Sequence, residues 1–192
     1  KKLSKQKKIA HAFFNRNGGK SKGIYKGLNC GQGSNDKKYL VKQNLKIAKD
    51  RIGKKTKKIF LIHQIHSNKF IFIDKNFQLY KKKIKADAII TNQKRLPIAV
   101  LTADCVPILL HDEKKNIVAA IHSGWRGAYK GIVNKVIKFM LKKGCKRENI
   151  TAAIGPCIAQ KNYNVKKDFQ RKFLKKDKKN ILFFKKKQKN IY

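Results

Sequence analysis

Acidic residues are scarce in this chain: 10 Asp and Glu stand against 50 Lys and Arg among 192 residues, for a formal charge of +40. Arginine is scarce as well. Arg16, Arg51, Arg95, Arg126, Arg147 and Arg171 are the six arginines, and the other 44 basic residues are lysines. Surfaces that read bases or grip phosphates in a forked geometry draw on Arg, whereas Lys supplies a hydrated point charge on a flexible stem. Lys, Asn, Ile and Phe are abundant together and can all be written with codons of A and T alone, so the excess reads as solvated surface shaped by biased composition. A polyanion- or nucleic-acid-binding basic module is the alternative from another functional class. Phe and Tyr are not interleaved with the lysine runs in a recognisable binding motif, so nucleic acid is not the expected primary partner.

Long apolar runs are missing too. The longest, Ile117 to Ile121 and Val106 to Leu110, have strand length and fall far short of the roughly 18 residues that cross a bilayer. The basic start is followed by a short apolar stretch, Ile9 to Phe14, which is too brief for a signal-peptide core. The four cysteines, at 30, 105, 145 and 157, include no Cys-x-x-Cys pair. Reduced thiols and a cytoplasmic location are therefore expected. At 192 residues with 41% hydrophobic content, one domain spanning 1–192 with a packed core is the simplest organisation.

Lysine itself has a gap. Residues 97–134 contain only Lys114, Lys115 and Lys130, where uniform spreading would place about nine. Residues 166–189, by contrast, hold eleven lysines, as a solvated helix face would. Short β-branched or apolar runs predict strands over Ile59–Ile65, Phe70–Ile73, Ala88–Thr91, Ile98–Thr102, Ile108–His111, Ile117–His122 and Ile150–Ile154. Asp36 is positioned to cap a helix reaching Ile52, with Gly53 as its stop. Ile132, Val133, Val136, Ile137, Met140 and Leu141 have helical spacing up to Gly144, and a third helix starts near Val165 with Phe169 and Phe173 on one face. Strands and helices are mixed without the alternation of a doubly wound sheet, which makes the class α+β.

Six of the 12 glycines fall within 18–33, yet neither nucleotide motif fits there. Gly19-Lys20-Ser21 ends like a P-loop, but Phe14 occupies the leading glycine position. Gly31-x-Gly33 meets Asp36 where a dinucleotide fingerprint needs its third glycine. The segment reads as a run of turns, with a backbone anion nest near Arg16 as the alternative.

Three metal-binding side chains stand where predicted strands end: His66, Cys105 and His122. Their spacing is too long for a zinc finger, so spacing alone leaves two readings open. In one, Cys105 is a small buried hydrophobe and the histidines satisfy strand ends. In the other, two imidazoles and a thiolate occupy three corners of a tetrahedral zinc site and leave the fourth open, as in catalytic centres. His63 precedes His66 by three residues, a spacing that in a strand sends the two to opposite faces. Asp87 and Asp104 are acids that could orient a ligand imidazole or merely cap a turn. Cys105 with His122 as a metal-free nucleophile and base is a further rival, a Cys-His hydrolase. His122-Ser123-Gly124-Trp125-Arg126-Gly127 leads into a helix whose N-terminus, with Arg126, would favour an anion such as phosphate.

Taken in order, Phe14-Asn15-Arg16-Asn17-Gly18-Gly19, His63-Gln64-Ile65-His66, Asp87-Ala88-Ile89-Ile90-Thr91, Thr102-Ala103-Asp104-Cys105-Val106-Pro107, His122-Ser123-Gly124-Trp125-Arg126-Gly127 and Ile154-Gly155-Pro156-Cys157-Ile158 resemble the YfiH-like, laccase-domain family over roughly residues 10–165. The family was formerly described as multicopper polyphenol oxidases and is now associated with purine nucleoside phosphorylase activity. The resemblance implies an α/β/β/α layered arrangement and one zinc held by His66, Cys105 and His122. It also implies phosphorolysis of adenosine, inosine, guanosine and methylthioadenosine, with adenosine deamination besides. Cys105, His122 and Asp104 become the candidate catalytic residues, and Arg16 and Arg126 the candidate phosphate ligands. Copper is a less expected occupant, because one three-donor centre cannot host the several coppers of a laccase. Family members usually continue past the position of Tyr192, so further sequence is expected beyond both ends of this chain.

Overall fold

The computed structural model describes residues 3–6, 8–78 and 84–186. The chain forms two compact units, Lys1–Pro156 and Cys157–Tyr192.

The first unit is organised by a five-stranded mixed sheet. Its strands are β1 (Phe70–Ile73), β2 (Ala88–Thr91), β3 (Val106–Asp112), β4 (Ile117–Ser123) and β5 (Ile150–Ile154), in the order β1-β2-β4-β3-β5. β1 and β2 run parallel, while β4 is antiparallel to both β2 and β3. This direction reversal positions the site. The starts of β1, β2 and β3 and the end of β4 all lie at one end of the sheet, so residues just outside those strands meet although they are far apart in sequence.

Packing follows from alternation. Ala88 and Ile90 of β2, Ile117, Ala119 and Ile121 of β4 and Leu110 of β3 form the apolar core with Ile132, Val136 and Met140. The last three lie on one stripe of helix α3 (Ile132–Lys142), which follows the single-turn α2 (Trp125–Tyr129). Ile89 and Ala120, on the opposite face, are fully buried as well, which explains why β2 and β4 read as continuous apolar runs rather than alternating ones.

Helix α1 (Lys38–Ile52) buries Val41, Asn44, Leu45 and Ala48. Its end before Gly53 agrees with the sequence, but its start does not depend on an Asp36 cap: Lys37 is the capping residue and no side chain caps it. The Asp36 carboxylate instead accepts the Lys37 N–H, the Ser21 hydroxyl and the Asn29 amide. Fully buried Asn44 completes this clip. It accepts from Lys20 N and donates to Ser21 Oγ and to the carbonyls of Asn29 and Gly27. The glycine-rich stretch is thus a pair of closely crossing backbones; a Cβ on Gly19 would sit 2.1 Å from the Gly27 carbonyl. The turn reading holds there.

Two expected strands are not continuous. Ile59–Ile65 and Ile98–Thr102 carry only isolated parallel bridges, Phe60 with Ile98 and His63 with Lys85. A side chain replaces part of the missing ladder: Gln64 Nε2 donates to the Leu101 carbonyl at 2.7 Å, and Leu101 N–H donates to Gln64 Oε1 at 2.8 Å. Both segments are mostly half-buried and neither contains a fully buried residue, so their apolar residues lack the two-sided burial that holds β2 and β4 in register.

In the second unit, α4 (Lys167–Lys176) sets Phe169 and Phe173 4.9 Å apart between ring centroids, and Phe184 joins them at 6.3 Å from each. A small aromatic cluster holds this lysine-rich segment. No helix among the described residues is long and apolar enough to cross a membrane.

Candidate metal centre

His66, Cys105 and His122 converge at the sheet end described above. One ligating atom from each lies within 4.8 Å of the other two, and this is the one His/Cys/Asp/Glu cluster of that kind among the described residues. His122 is the penultimate residue of β4 and is 3% exposed. Cys105 immediately precedes β3, and His66 lies in the turn leading to β1. The sequence placed His66 and Cys105 at the close of preceding strands, whereas they stand ahead of the following ones. Their convergence survives because β1 and β3 start at the end where β4 finishes.

Cys105 Sγ is 3.9 Å from His66 Nε2, and the two imidazoles meet edge to face at 4.8 Å between centroids. Gly124, directly after β4, completes the cradle. A Cβ there would lie 3.0 Å from Cys105 Sγ, 3.0 Å from His66 Cδ2 and 3.8 Å from His122 Cε1. Its backbone, with φ −70° and ψ 165°, is open to any residue, so the space rather than the conformation requires glycine. The sequence marks this glycine for freedom of backbone approach; its place against all three ligand side chains is a property of the fold.

Asp87, fully buried one residue before β2, organises the donors. Its Oδ1 accepts from His122 Nδ1 at 2.9 Å and from the His66 N–H at 2.9 Å. Oδ2 accepts from the Ser67 N–H and from the Ser67 hydroxyl, each at 2.6 Å, and Ile65 N–H approaches both oxygens. Burial opposes the charge on Asp87, but these bonds from Ser67, His122 and His66 outweigh it and hold the carboxyl below its ordinary pKa. A carboxylate facing Nδ1 makes that nitrogen the protonated one and leaves the His122 Nε2 lone pair for a metal.

Cys105 feels the opposite balance. Burial, and then the negative charges of Asp104 and Asp87, push its thiol up. The group gathers a sulfur and two imidazoles with Asp87 and Asp104 nearby, and a divalent ion would reverse the electrostatics and hold Cys105 as thiolate. The donor chemistry and the cradle both fit a tetrahedral metal.

The other site residues fall outside this cluster. His63 is exposed and hydrogen-bonds through its backbone to Ile84 and Ala86. Asp104 is exposed beside Cys105. Arg126, exposed at the start of α2, lies over the Trp125 ring at 5.3 Å. Arg16 spends Nε and Nη2 on the Lys26 carbonyl, at 3.2 and 2.8 Å.

The family described as multi-copper polyphenol oxidoreductase laccase matches residues 10–192. The chain belongs to that family. Among its relatives, a purine nucleoside phosphorylase of Rickettsia prowazekii is 37% identical over 68% of this chain and 52% of its own length. One from Corynebacterium glutamicum is 37% identical over 82% of this chain and 64% of its own. The chain therefore spans roughly half to two thirds of these relatives. The crystal structure of the Bacillus licheniformis protein YfiH superposes with a TM-score of 0.81 and 26% identity, covering 92% of this chain and 69% of that one. The α+β mixed sheet flanked by helices is thus the laccase-family fold. The family description speaks of several coppers, whereas the described residues of this member present one three-donor cluster.

Proposed function

We propose that the protein is a zinc-dependent purine nucleoside phosphorylase, acting on adenosine, inosine, guanosine and methylthioadenosine in the reducing cytoplasm. The observation that carries this reading is the convergence of His66, Cys105 and His122 in a chain whose relatives are named purine nucleoside phosphorylases. Four free cysteines suit a compartment that keeps the Cys105 sulfur available to a metal.

The reaction joins a phosphate oxygen to the anomeric carbon while the bond from that carbon to the purine nitrogen breaks, giving free base and ribose 1-phosphate. The bonding pair leaves with the purine, which takes up a proton. Bound zinc would supply Lewis acidity toward a substrate heteroatom. The chain's own groups do the rest. Arg126 or Arg16 holds the phosphate; Arg126 is the freer of the two, since Arg16 donates through Nε and Nη2 to the Lys26 carbonyl. Asp104 lends negative charge to the sugar as it becomes oxocarbenium-like, and Cys105 and His122 fix the substrate end of the centre. Gln64 and Leu101, on the segments that carry His66 and Cys105, line a cavity of about 220 Å³ together with Leu61, Ile62 and Ile84. Gln32, Gly33 and His63 complete its lining, which mixes polar with apolar side chains and includes none of the three donors.

The metal-free hydrolase with Cys105 as nucleophile is the rival, and the Asp87–His122 pair would serve it as base and orienter. A thiol pushed upward is a poor nucleophile, which favours the metal reading. Adenosine deamination finds no counterpart in the relatives' names. Incubating the protein with inosine and phosphate, before and after chelation, separates the readings: formation of ribose 1-phosphate that stops on chelation and returns with zinc is expected. Turnover that persists without metal, or thiol alkylation that is unaffected by zinc, would contradict the proposal.

A further inference from the structure

We infer that Asp87 is the positioning residue that assembles two of the three metal donors at once, by fixing the ring of His122 and the backbone of His66 with one carboxylate. The inference rests on the metal reading above and specifies how this chain builds the site.

Three chain segments meet at Asp87. Its own N–H donates to the Lys69 carbonyl at 2.9 Å, and its carbonyl accepts from the His122 N–H at 2.8 Å, which ties it to the approach to β1 and to β4. That second bond extends the β2–β4 register, in which Ala88 faces Ile121, by one residue. The side chain is therefore aimed by sheet pairing rather than by a loose loop. Toward β4, Oδ1 sets which nitrogen of His122 carries the proton. Toward the other ligand, the carboxylate collects the successive N–H groups of Ile65, His66 and Ser67.

That second role bears on strain. His66 has φ +55°, in the left-handed region where a residue with a Cβ persists only when its surroundings hold it. Three converging N–H groups bound by one carboxylate supply that hold. The turn directs His66 Nε2 toward Cys105, and helix α2 closes over it: a Cβ on Gly127 would stand 2.9 Å from the Ser67 carbonyl.

The arrangement separates Asp87→Asn from an ordinary conservative change. An asparagine presents one oxygen and one NH2. If the oxygen replaces Oδ1, the NH2 faces the two Ser67 donors; if it replaces Oδ2, the NH2 faces the donors of His66 and His122. Either orientation releases one arm of the site.

Zinc affinity measured against a chromophoric chelator should fall about 10- to 100-fold in Asp87→Asn, the usual effect of removing a carboxylate behind a ligand histidine. The d–d absorption of the cobalt-substituted variant should depart from that of the wild type, a change that mere loss of fold stability would not produce. A second measurement needs no variant. In the zinc-loaded wild-type protein, long-range proton–nitrogen NMR should show His122 bound through Nε2 with a slowly exchanging Nδ1 proton. Wild-type affinity with an unchanged cobalt spectrum in Asp87→Asn, or His122 bound through Nδ1, overturns the assignment. If the wild-type protein takes up neither zinc nor cobalt, the metal reading fails and this inference fails with it; uptake by the wild type with no effect of the variant sinks the inference alone.

Discussion

The sharpest test of the site's shape is Gly124→Ala. The backbone at 124 accepts alanine without strain, so whatever the substitution costs comes from the new methyl carbon meeting Cys105 Sγ and His66 Cδ2, each at 3.0 Å. Carbon prefers such neighbours at about 3.5–4.0 Å, so each ligand has to retreat by about a few tenths of an ångström. Metal sites tolerate only about ±0.2 Å in their bond lengths. In the metal-free protein His66 and Cys105 can move aside toward solvent, since both are accessible, whereas bound metal draws them back against the methyl. The clash is therefore concentrated in the loaded state. Taking about 1–3 kcal/mol for overpacking, zinc affinity should fall about 5- to 150-fold, while the metal-free protein melts within a few degrees of wild type. Chelator competition gives the first quantity and a thermal scan in excess chelator gives the second. Equal zinc affinity in Gly124→Ala and wild type would show that the three side chains do not close on a metal as they stand.

Other consequences are independent of the metal. Asn44→Ala removes a buried amide that joins α1 to the Ser21–Asn29 stretch, and leaves Lys20 N–H and the Asn29 carbonyl without it; a loss of about 2–3 kcal/mol in urea unfolding is expected, and a change under 0.5 kcal/mol would contradict the clip. His111, 1% exposed and paired with Gln6, has its pKa lowered by burial, with Lys8 adding to that effect and Glu113 and Asp112 opposing it. A base depressed in the folded state binds its proton more readily when unfolded, so stability should be lost as pH falls below about 6.5 toward the folded pKa. Urea midpoints that decline over this range in wild type, and decline less in His111→Gln, would bear this out; identical slopes would not. Cys145, buried beside Asp112, has its thiol pushed up to about 12, so it should resist alkylation at pH 8 in the folded protein, as mass spectrometry can follow.

How much of this was legible beforehand depended on local forces. β2 and β5 were readable to the residue, as Ala88–Thr91 and Ile150–Ile154, and so was β1, because each is a short apolar run bounded by turn residues. The same signal overstated Ile59–Ile65 and Ile98–Thr102, where a Gln64 side chain rather than a backbone ladder makes part of the cross-connection. Asp36 had the right residue type and position for a cap, but tertiary partners at Ser21 and Asn29 claimed its carboxylate. Cys105 and His122 lie in the lysine-poor stretch 97–134, whereas His66 lies outside it and joins them through its place after a predicted strand and through the family resemblance. What sequence could not supply was the choice between Asp87 and Asp104 as their partner. Only the β2–β4 register shows that Asp87 is fully buried behind His122, while Asp104 faces solvent.

Elemental analysis of the purified protein beside His66→Ala, Cys105→Ser and His122→Ala variants bears most directly on the central claim. One zinc per chain in the wild type, lost in each variant while the fold persists, is the expected result. Wild-type protein without metal, or single-ligand variants that keep a full complement of it, would contradict the claim that these three side chains form one centre.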